Sequence, residues 1–378
     1  MAKNSPVNEV KLTASGRLAT VGQKIMGGNF LYTLISIVIG FFVGAMAMGV
    51  AGYNPIQAYS SLFGVVFDTS KTMSYSFIEY ATPYILTGLS VAFSFKTGIF
   101  NIGAEGQYVM GSIAAMLVGA FVPAPAFILI PLCILAAVAV GVLWGGLVGY
   151  LKVKFGSHEV LCMIMFNWIA YYLSNFLVMA DGINVGGGKT WSVAVQDAAK
   201  ITITNWFPKN AVSSRTHFGI VIAIICVLVI HYIINRTTLG YRLKAVGYNR
   251  SAAEYAGINA NRCVIVSLAI SGALASLAGG LQVMGVTYKV TQFAAQESYG
   301  FNGITVALIG ATNPIGTLIA GWFFGAMKYA GTRMKLLDGT RVPKEIVDII
   351  MGCIVFFIAI SNLFRAFIMN RGKKGGKA

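Results

Sequence analysis

The stretch FLYTLISIVIGFFVGAMAMGVA, residues 30–51, contains no charged side chain. It is long enough to cross a bilayer, because about 20 apolar residues in a helix span the roughly 30 Å of hydrocarbon. Nine further apolar runs follow it. They lie near 77–95, 99–121, 126–150, 160–180, 218–234, 264–285, 301–313, 315–331 and 346–368. Each is expected to be helical, because an open strand in lipid would leave backbone groups unpaired.

The composition of the whole chain agrees with lipid as its main solvent. Of 378 residues, 57% are hydrophobic and 11% are charged, and the mean hydropathy is +0.74. An ordinary soluble domain has about a quarter of its residues charged. The composition therefore excludes a soluble globular enzyme, a disordered chain and a nucleic-acid binder. It predicts an all-α fold, a polytopic transmembrane helix bundle of about ten spans.

The distribution of Lys and Arg predicts which loops face the cytoplasm. With the N-terminus inside and the spans alternating, inside segments carry 17 of the 28 basic residues and outside segments carry 10. The excess favours both termini in the cytoplasm, although the basic loop 332–345 falls outside. The prediction is a cytoplasmic N-terminal segment (1–29), a transmembrane domain (30–368) and a basic cytoplasmic tail (369–378).

No metal site, disulfide framework or nucleotide site is expected. The five cysteines are scattered through apolar runs, and the three histidines have no metal-ligand spacing. The run Gly186 to Thr190 resembles a phosphate-binding loop, but the position of its first glycine is occupied by Ile183. We interpret 181–217 as a flexible external loop.

Three acidic residues lie in or beside apolar runs: Glu79, Glu105 and Asp348. A charge in mid-bilayer costs about 3 kcal/mol on insertion scales, so such groups face protein or water. Glu79 and Asp348 are near span ends and could reach the interface. Glu105 follows Asn101 in a glycine-bearing apolar run. Both are predicted to share a helix face that lines a cavity; the alternative is a hydrogen-bond cluster that joins two helices.

Two further segments depart from plain membrane-spanning helices. Residues 301–313 would reach only about 20 Å as a helix, and Asn313-Pro314 is a turn signal, so a short or broken helix is predicted to return through 315–331. Such interruptions line substrate paths in secondary transporters; a plain tight hairpin is the alternative. The basic loop 235–263 contains a predicted short helix, Ser251 to Gly257, ended by glycine. This loop could dock on a partner or lie on anionic lipid.

The motifs resemble those of a known family. NIGAEGQ at 101–107, GYRLKAVG at 240–247 with the residues up to Ile258, and GITVALIGATNPIG at 303–316 are similar to permease subunits of ATP-binding-cassette importers. The resemblance covers roughly 30–368 and is to the branched-chain amino acid, ribose and nucleoside permease superfamily, most of all its nucleoside branch.

This resemblance implies that different subunits form the transport path and hydrolyse ATP. The chain would be no enzyme and bind no cofactor: it would form the path for a nucleoside, with a purine nucleoside as the favoured cargo, while a separate ATP-binding-cassette ATPase subunit uses the ATP. A second permease subunit, identical or different, and an extracytoplasmic substrate-binding lipoprotein would complete the importer in membrane lipid. The expected location is the bacterial inner or plasma membrane, and no nucleic-acid partner is expected.

Two groups of residues are predicted to carry these roles. The substrate path is assigned to Asn101, Glu105, Gln107, Asn167, Gln282 and Asn302, with Phe100, Trp168 and Phe301 available for stacking on a base. ATPase coupling is assigned to Gly247, Asn249, Ala253, Glu254, Ala256 and Gly257. The alternatives are the same type of importer for a pentose or a branched-chain amino acid, and a proton-coupled secondary transporter with Glu105 or Asp348 as relay.

Overall fold

The computed structural model describes residues 29–67, 78–203, 216–334 and 346–354, together with 356, 357 and 360. Residues 1–28, most of the 332–345 loop and the basic tail lie outside the described residues, and so do the predictions made for them. Within the described part there is no β-strand, and three isolated bridges are the only strand-like pairs.

Most of the described chain is helical. Its helices are α1 (Asn29–Val50), α2 (Pro55–Phe67), α3 (Ile78–Phe95), α4 (Ala104–Phe121), α5 (Ala126–Phe155), α6 (Glu159–Met179), α7 (Gly219–Arg236), α8 (Thr238–Tyr248), α9 (Arg250–Tyr255), α10 (Ala260–Gln282), α11 (Tyr299–Ile309), α12 (Pro314–Met334) and a last helix, α13, over 346–354. A π-helical turn, Val283–Thr287, continues α10. Each predicted apolar run thus contains a helix.

The helices differ from the predicted runs in two ways. Residues 99–103, expected in a span, are not helical: 99–101 are irregular and 102–103 form a turn before α4 begins at Ala104. The amphipathic α2, and α8 as a helix separate from α9, were not predicted. Four helices among the described residues are long and apolar enough to cross a membrane: Ala126–Phe155, Glu159–Met179, Gly219–Arg236 and Ala260–Thr287, with Ile35–Val50 and Tyr299–Ile309 as shorter apolar segments.

Helix α10 lies at the centre of the unit formed by residues 48–348 and packs against α3, α4 and α5. Small residues allow the backbones to touch. A Cβ on Gly141 would lie 2.3 Å from the Gly272 oxygen, and one on Gly111 would lie 2.0 Å from the Ser276 oxygen. The small residues of 267–285 therefore serve tight helix packing.

The connections of this unit meet at two ends. We call residues 96–98, 151–158, 237–259 and 310–313 the basic end. There the Lys96 ammonium donates to Thr312 Oγ1 at 3.0 Å, and Lys152 pairs with Glu159 at 2.6 Å. The predicted turn at Asn313 is present: α11 is only 11 residues long, and α12 begins at Pro314.

We call residues 181–203 and 283–298 the loop end. The first segment is hydrogen-bonded to the second, with Ser192 N–H donating to the Val290 oxygen (2.9 Å) and Val195 N–H to the Tyr288 oxygen (2.8 Å). The expectation of a flexible loop is therefore wrong for 181–203, which covers the end of α10. The glycine run is exposed, and Gly186 to Gly188 adopt positive φ.

The second unit contains residues up to 47 and from 349 onward. Within it α1 meets the last helix closely, because a Cβ on Gly40 would lie 2.6 Å from the Ile354 Cα. Position 40 therefore needs a glycine, because a side chain there would collide with the last helix.

Candidate functional site

Asn101 and Gln107 belong to a hydrogen-bond network in the centre of the large unit. Asn101 is fully buried, and its Nδ2 lies within hydrogen-bonding distance of Ser271 Oγ on α10 (2.7 Å), Gln107 Oε1 (2.9 Å) and Ser90 Oγ on α3 (3.2 Å). These contacts join three helices and satisfy groups that would be costly to bury alone. The substrate-path role of Asn101 and Gln107 stays a prediction.

Asn167 connects α6 to the start of α4. Its Oδ1 accepts from Gly106 N–H (2.8 Å) and its Nδ2 donates to the Ile102 carbonyl (3.0 Å). A Cβ on Gly106 would lie 2.9 Å from the Asn167 Cα, so this contact requires a glycine at position 106 of the 101–107 motif. The amide is used here to pin two helices together.

Glu105 binds the first turn of α11. Its Oε1 accepts from Ser298 N–H and its Oε2 from Gly300 N–H, each at 2.7 Å. Both oxygens therefore act as acceptors for amides at a helix N-terminus, where a negative charge is stabilised. The expected shared helix face is wrong, because Asn101 precedes α4 and bonds elsewhere. This geometry matches the alternative of a cluster that joins two helices.

The remaining predicted polar groups are dispersed. Asn302 on α11 donates to the Tyr84 hydroxyl at 3.5 Å, and Asp348 pairs with Lys328 at 2.5 Å. Glu79 is 7% exposed, so the interpretation of a solvated helix end is wrong for it. Trp168 is 44% exposed, and it does not line the cavity described next.

A cavity of about 340 Å³ lies at the loop end. Its volume is at the lower end of the range for small-molecule pockets, about 300–1,000 Å³. Buried side chains of Tyr108, Ser112 and Gln282 line its inner part, and the exposed Thr291 and Glu297 line its mouth. Lining residues also include Glu79, Lys289, Phe293 and Tyr299. Among the predicted path residues, Gln282 is the one that contributes to this wall.

Two tyrosines form the aromatic part of the cavity wall. The rings of Tyr108 (α4) and Tyr299 (α11) stack with centroids 5.0 Å apart and planes 28° apart. The ring of Tyr84 packs on those of Tyr299 and Phe324, with centroids 5.3 Å and 5.4 Å apart. The aromatic wall therefore continues into the helix bundle. The sequence analysis missed these tyrosines because a single tyrosine in an apolar run has no distinguishing signal.

The basic end presents a surface formed by α8 and α9. Asn249 Oδ1 accepts from Ala252 N–H at 3.0 Å and caps α9, and Gly257 ends it with φ +82°. The predicted short helix is thus confirmed. Tyr248 and Tyr255 are 88% and 98% exposed. Large exposed aromatic side chains are typical of binding surfaces, and the sequence analysis did not single them out.

The six predicted coupling residues divide between this surface and its support. Glu254, Ala256 and Gly257 are exposed, with Glu254 paired to Arg250 at 3.0 Å. Ala253 is 4% exposed and packs inward. Asn249 serves as the helix cap, and Gly247 contacts the turn after α3, where a Cβ would lie 2.2 Å from the Lys96 oxygen.

A cleft of about 580 Å³ adjoins the exposed residues. Arg242 and Arg262 lie on its walls, with Ala256, Gly257 and Ile258 at one side. Burial and the nearby Lys244 lower the pKa of Lys96, which lies just beyond α3. The basic end therefore combines an exposed aromatic surface, a cleft and a concentration of positive charge.

Comparisons with known proteins are consistent with these features. The model of the permease component of branched-chain amino acid transport systems matches residues 73–359. A guanosine transporter permease of the ATP-binding-cassette type from Bacillus subtilis is 38% identical over 92% of this chain and 98% of its own length. A nucleoside transporter permease of Lactococcus lactis is 35% identical over 89% of this chain and 93% of its own.

A glucose transporter permease of Haloferax volcanii is 28% identical over 88% of each chain. No solved structure matches the chain.

Proposed function

Because the chain belongs to the family of permease components of branched-chain amino acid transport systems, we propose that it is the nucleoside-importing type of this permease. The chain is a multi-pass membrane protein and a permease subunit of an ATP-binding-cassette transporter. It is not itself an enzyme, since ATP hydrolysis belongs to a partner subunit, and a substrate-binding protein works with it.

The observation that carries the nucleoside assignment is the pair of relatives at 38% and 35% identity. Both are named for guanosine or nucleosides, and each aligns over nearly its whole length. The glucose permease has lower identity, so a sugar cargo is not favoured. The proton-coupled alternative loses its main candidate relay, because the Glu105 carboxylate is already bound by two backbone amides.

We further propose that α8 and α9 dock on the ATPase. The exposed Tyr248 and Tyr255, the cleft beside Gly257 and the basic residues support this assignment. The proposal places the basic end in the cytoplasm, both termini inside, ten spans, and the protein in the bacterial plasma membrane. The chain holds no cofactor, and ATP is used by the partner.

The transport path is completed by a second permease subunit, as the nucleoside-branch resemblance implies. A different permease rather than a second copy is proposed. Co-purification of two differently tagged copies of this chain from one membrane would contradict that part.

The test is uptake by vesicles that contain the complete transporter and its receptor. Labelled guanosine or adenosine should accumulate only with ATP inside, and collapse of the proton gradient should leave the rate unchanged. An excess of unlabelled nucleoside should compete, whereas ribose and leucine should not. Uptake that requires the gradient, or that leucine or ribose blocks while nucleosides do not, would refute the proposed function.

A further inference from the structure

We propose that the cavity at the loop end is the site where the permease holds the nucleoside during import, and that it accepts nucleosides but rejects nucleotides. The inference rests on the proposed function and adds to it a location and a specificity. Its starting point is the shape of the cavity. At about 340 Å³ it has room for one small molecule, and it opens at the end opposite the proposed ATPase-docking surface.

An aromatic platform forms one wall. A nucleobase is flat and has a π-face, and stacking on an aromatic side chain tolerates any base. The stacked pair of Tyr108 and Tyr299 supplies such a face beside Phe293. The two rings support each other, so the platform exists before a ligand arrives.

Hydrogen bonds also fix the backbone that carries Tyr299. Tyr299 lies between Ser298 and Gly300, whose amides are both bound by Glu105, and its own carbonyl accepts from Thr87 Oγ1 at 3.1 Å. The backbone on both sides of the ring is therefore fixed. Because a preorganised site loses little entropy on binding, Glu105 acts as a positioning residue for the platform.

A buried amide whose oxygen has no partner in the described part of the protein lies in the cavity wall. Gln282 is 5% exposed and lines the wall, and its Oε1 has no partner within the described part of the protein. A buried acceptor without a partner costs free energy, so it is well suited to receive a donor from a ligand. Nucleosides bring such donors as ribose hydroxyls and base N–H groups.

The charge of the wall determines the class of ligand. Among the described lining residues, Glu79 and Glu297 are acidic and Lys289 is basic. The Lys289 ammonium already lies 4.1 Å from the centroid of the Trp191 ring. Because the one ammonium among the described lining residues already contacts Trp191, the wall offers no free cation to a phosphate group and suits a neutral ligand rich in donors. Nucleosides therefore fit, and nucleoside monophosphates do not.

The first experiment uses the unaltered complete transporter. An azidopurine nucleoside would be photolysed with it, and the labelled peptides mapped by mass spectrometry. Label is expected within 282–299 or at Tyr108, with protection by guanosine and none by guanosine monophosphate. Label confined to other parts of the permease, or equal protection by the monophosphate, would overturn the site.

The second experiment compares Gln282→Leu with Gln292→Leu, an exposed glutamine of the same loop end that does not line the cavity. Maximal uptake at saturating receptor should fall about three- to tenfold for Gln282→Leu, the value of one hydrogen bond, and remain unchanged for Gln292→Leu. Equal uptake by both variants would overturn the site while leaving the proposed function intact. Failure of the wild-type transporter to import any nucleoside would instead refute the function.

Discussion

Replacing Glu105 by glutamine should destabilise the protein more than the sequence alone leads one to expect. A carboxylate offers two acceptors, and here each oxygen accepts one backbone amide at 2.7 Å. A glutamine keeps one acceptor and places an NH₂ group against the other amide. The backbone N–H of either Ser298 or Gly300 then faces this NH₂ group and has lost its acceptor.

The magnitude follows from two contributions. An unsatisfied buried donor costs about 1–3 kcal/mol, and loss of the negative charge at a helix N-terminus costs about 0.3–2 kcal/mol. We expect a loss of roughly 2–4 kcal/mol for Glu105→Gln, with a larger loss for Glu105→Leu, which removes both acceptors. Uptake should decline with stability, because Tyr299 is positioned by the same contact.

The first assay is thermal unfolding of the purified transporter in detergent, measured as the fraction that stays monodisperse after heating. The second assay is ATP-driven uptake in vesicles. The control is Glu159→Gln at the basic end, which removes a partly exposed ion pair with Lys152 worth about 0–1 kcal/mol. The reasoning is refuted if Glu105→Gln unfolds at the wild-type temperature and transports at the wild-type rate. Complete loss of uptake at unchanged stability would instead indicate a direct role in transport.

Three further outcomes are expected. Gly300→Ala should lower the unfolding temperature and abolish uptake, because its Cβ would lie 2.2 Å from a backbone nitrogen of α4, whereas Gly64→Ala, with open space around it, should be silent in both measurements. Ala256→Trp on the exposed α9 surface should leave the fold intact but uncouple ATP hydrolysis from uptake; wild-type coupling would contradict ATPase docking there. A reporter fused after Ala378 should be active on the cytoplasmic side, and one inserted at Lys200 on the outer side; the reverse pattern would overturn the topology.

Much of the fold could be predicted because it depends on local composition. Apolar runs of sufficient length become helices in lipid, and the Asn313-Pro314 turn and the Gly257 helix end have local chemical signals. The small residues of α10 likewise predict close packing between helices from their residue types alone. These features need no knowledge of distant contacts.

The details of the site could not be predicted in this way, because they arise from contacts between distant residues. Glu105 meets Ser298 and Gly300, almost 200 positions later, and nothing near Glu105 in the sequence indicates a helix cap there. The tyrosine platform similarly depends on α4 and α11 being neighbours. Of the predicted path residues, Gln282 lines the cavity, whereas Asn101 and Asn167 are engaged in contacts between helices.

The contact between Gly247 and the turn after α3 has a mechanical consequence. It joins backbone to backbone, so no side-chain rotamer lies between α8 and Lys96 to absorb a displacement. Packed protein interiors are nearly incompressible, and Lys96 in turn holds the α11–α12 connection through Thr312. A displacement of α8 would therefore be passed directly to the turn after α3, whereas the onward link to Thr312 runs through the flexible Lys96 side chain. The stiffness of this backbone contact would determine how far a displacement of α8 moves the turn after α3.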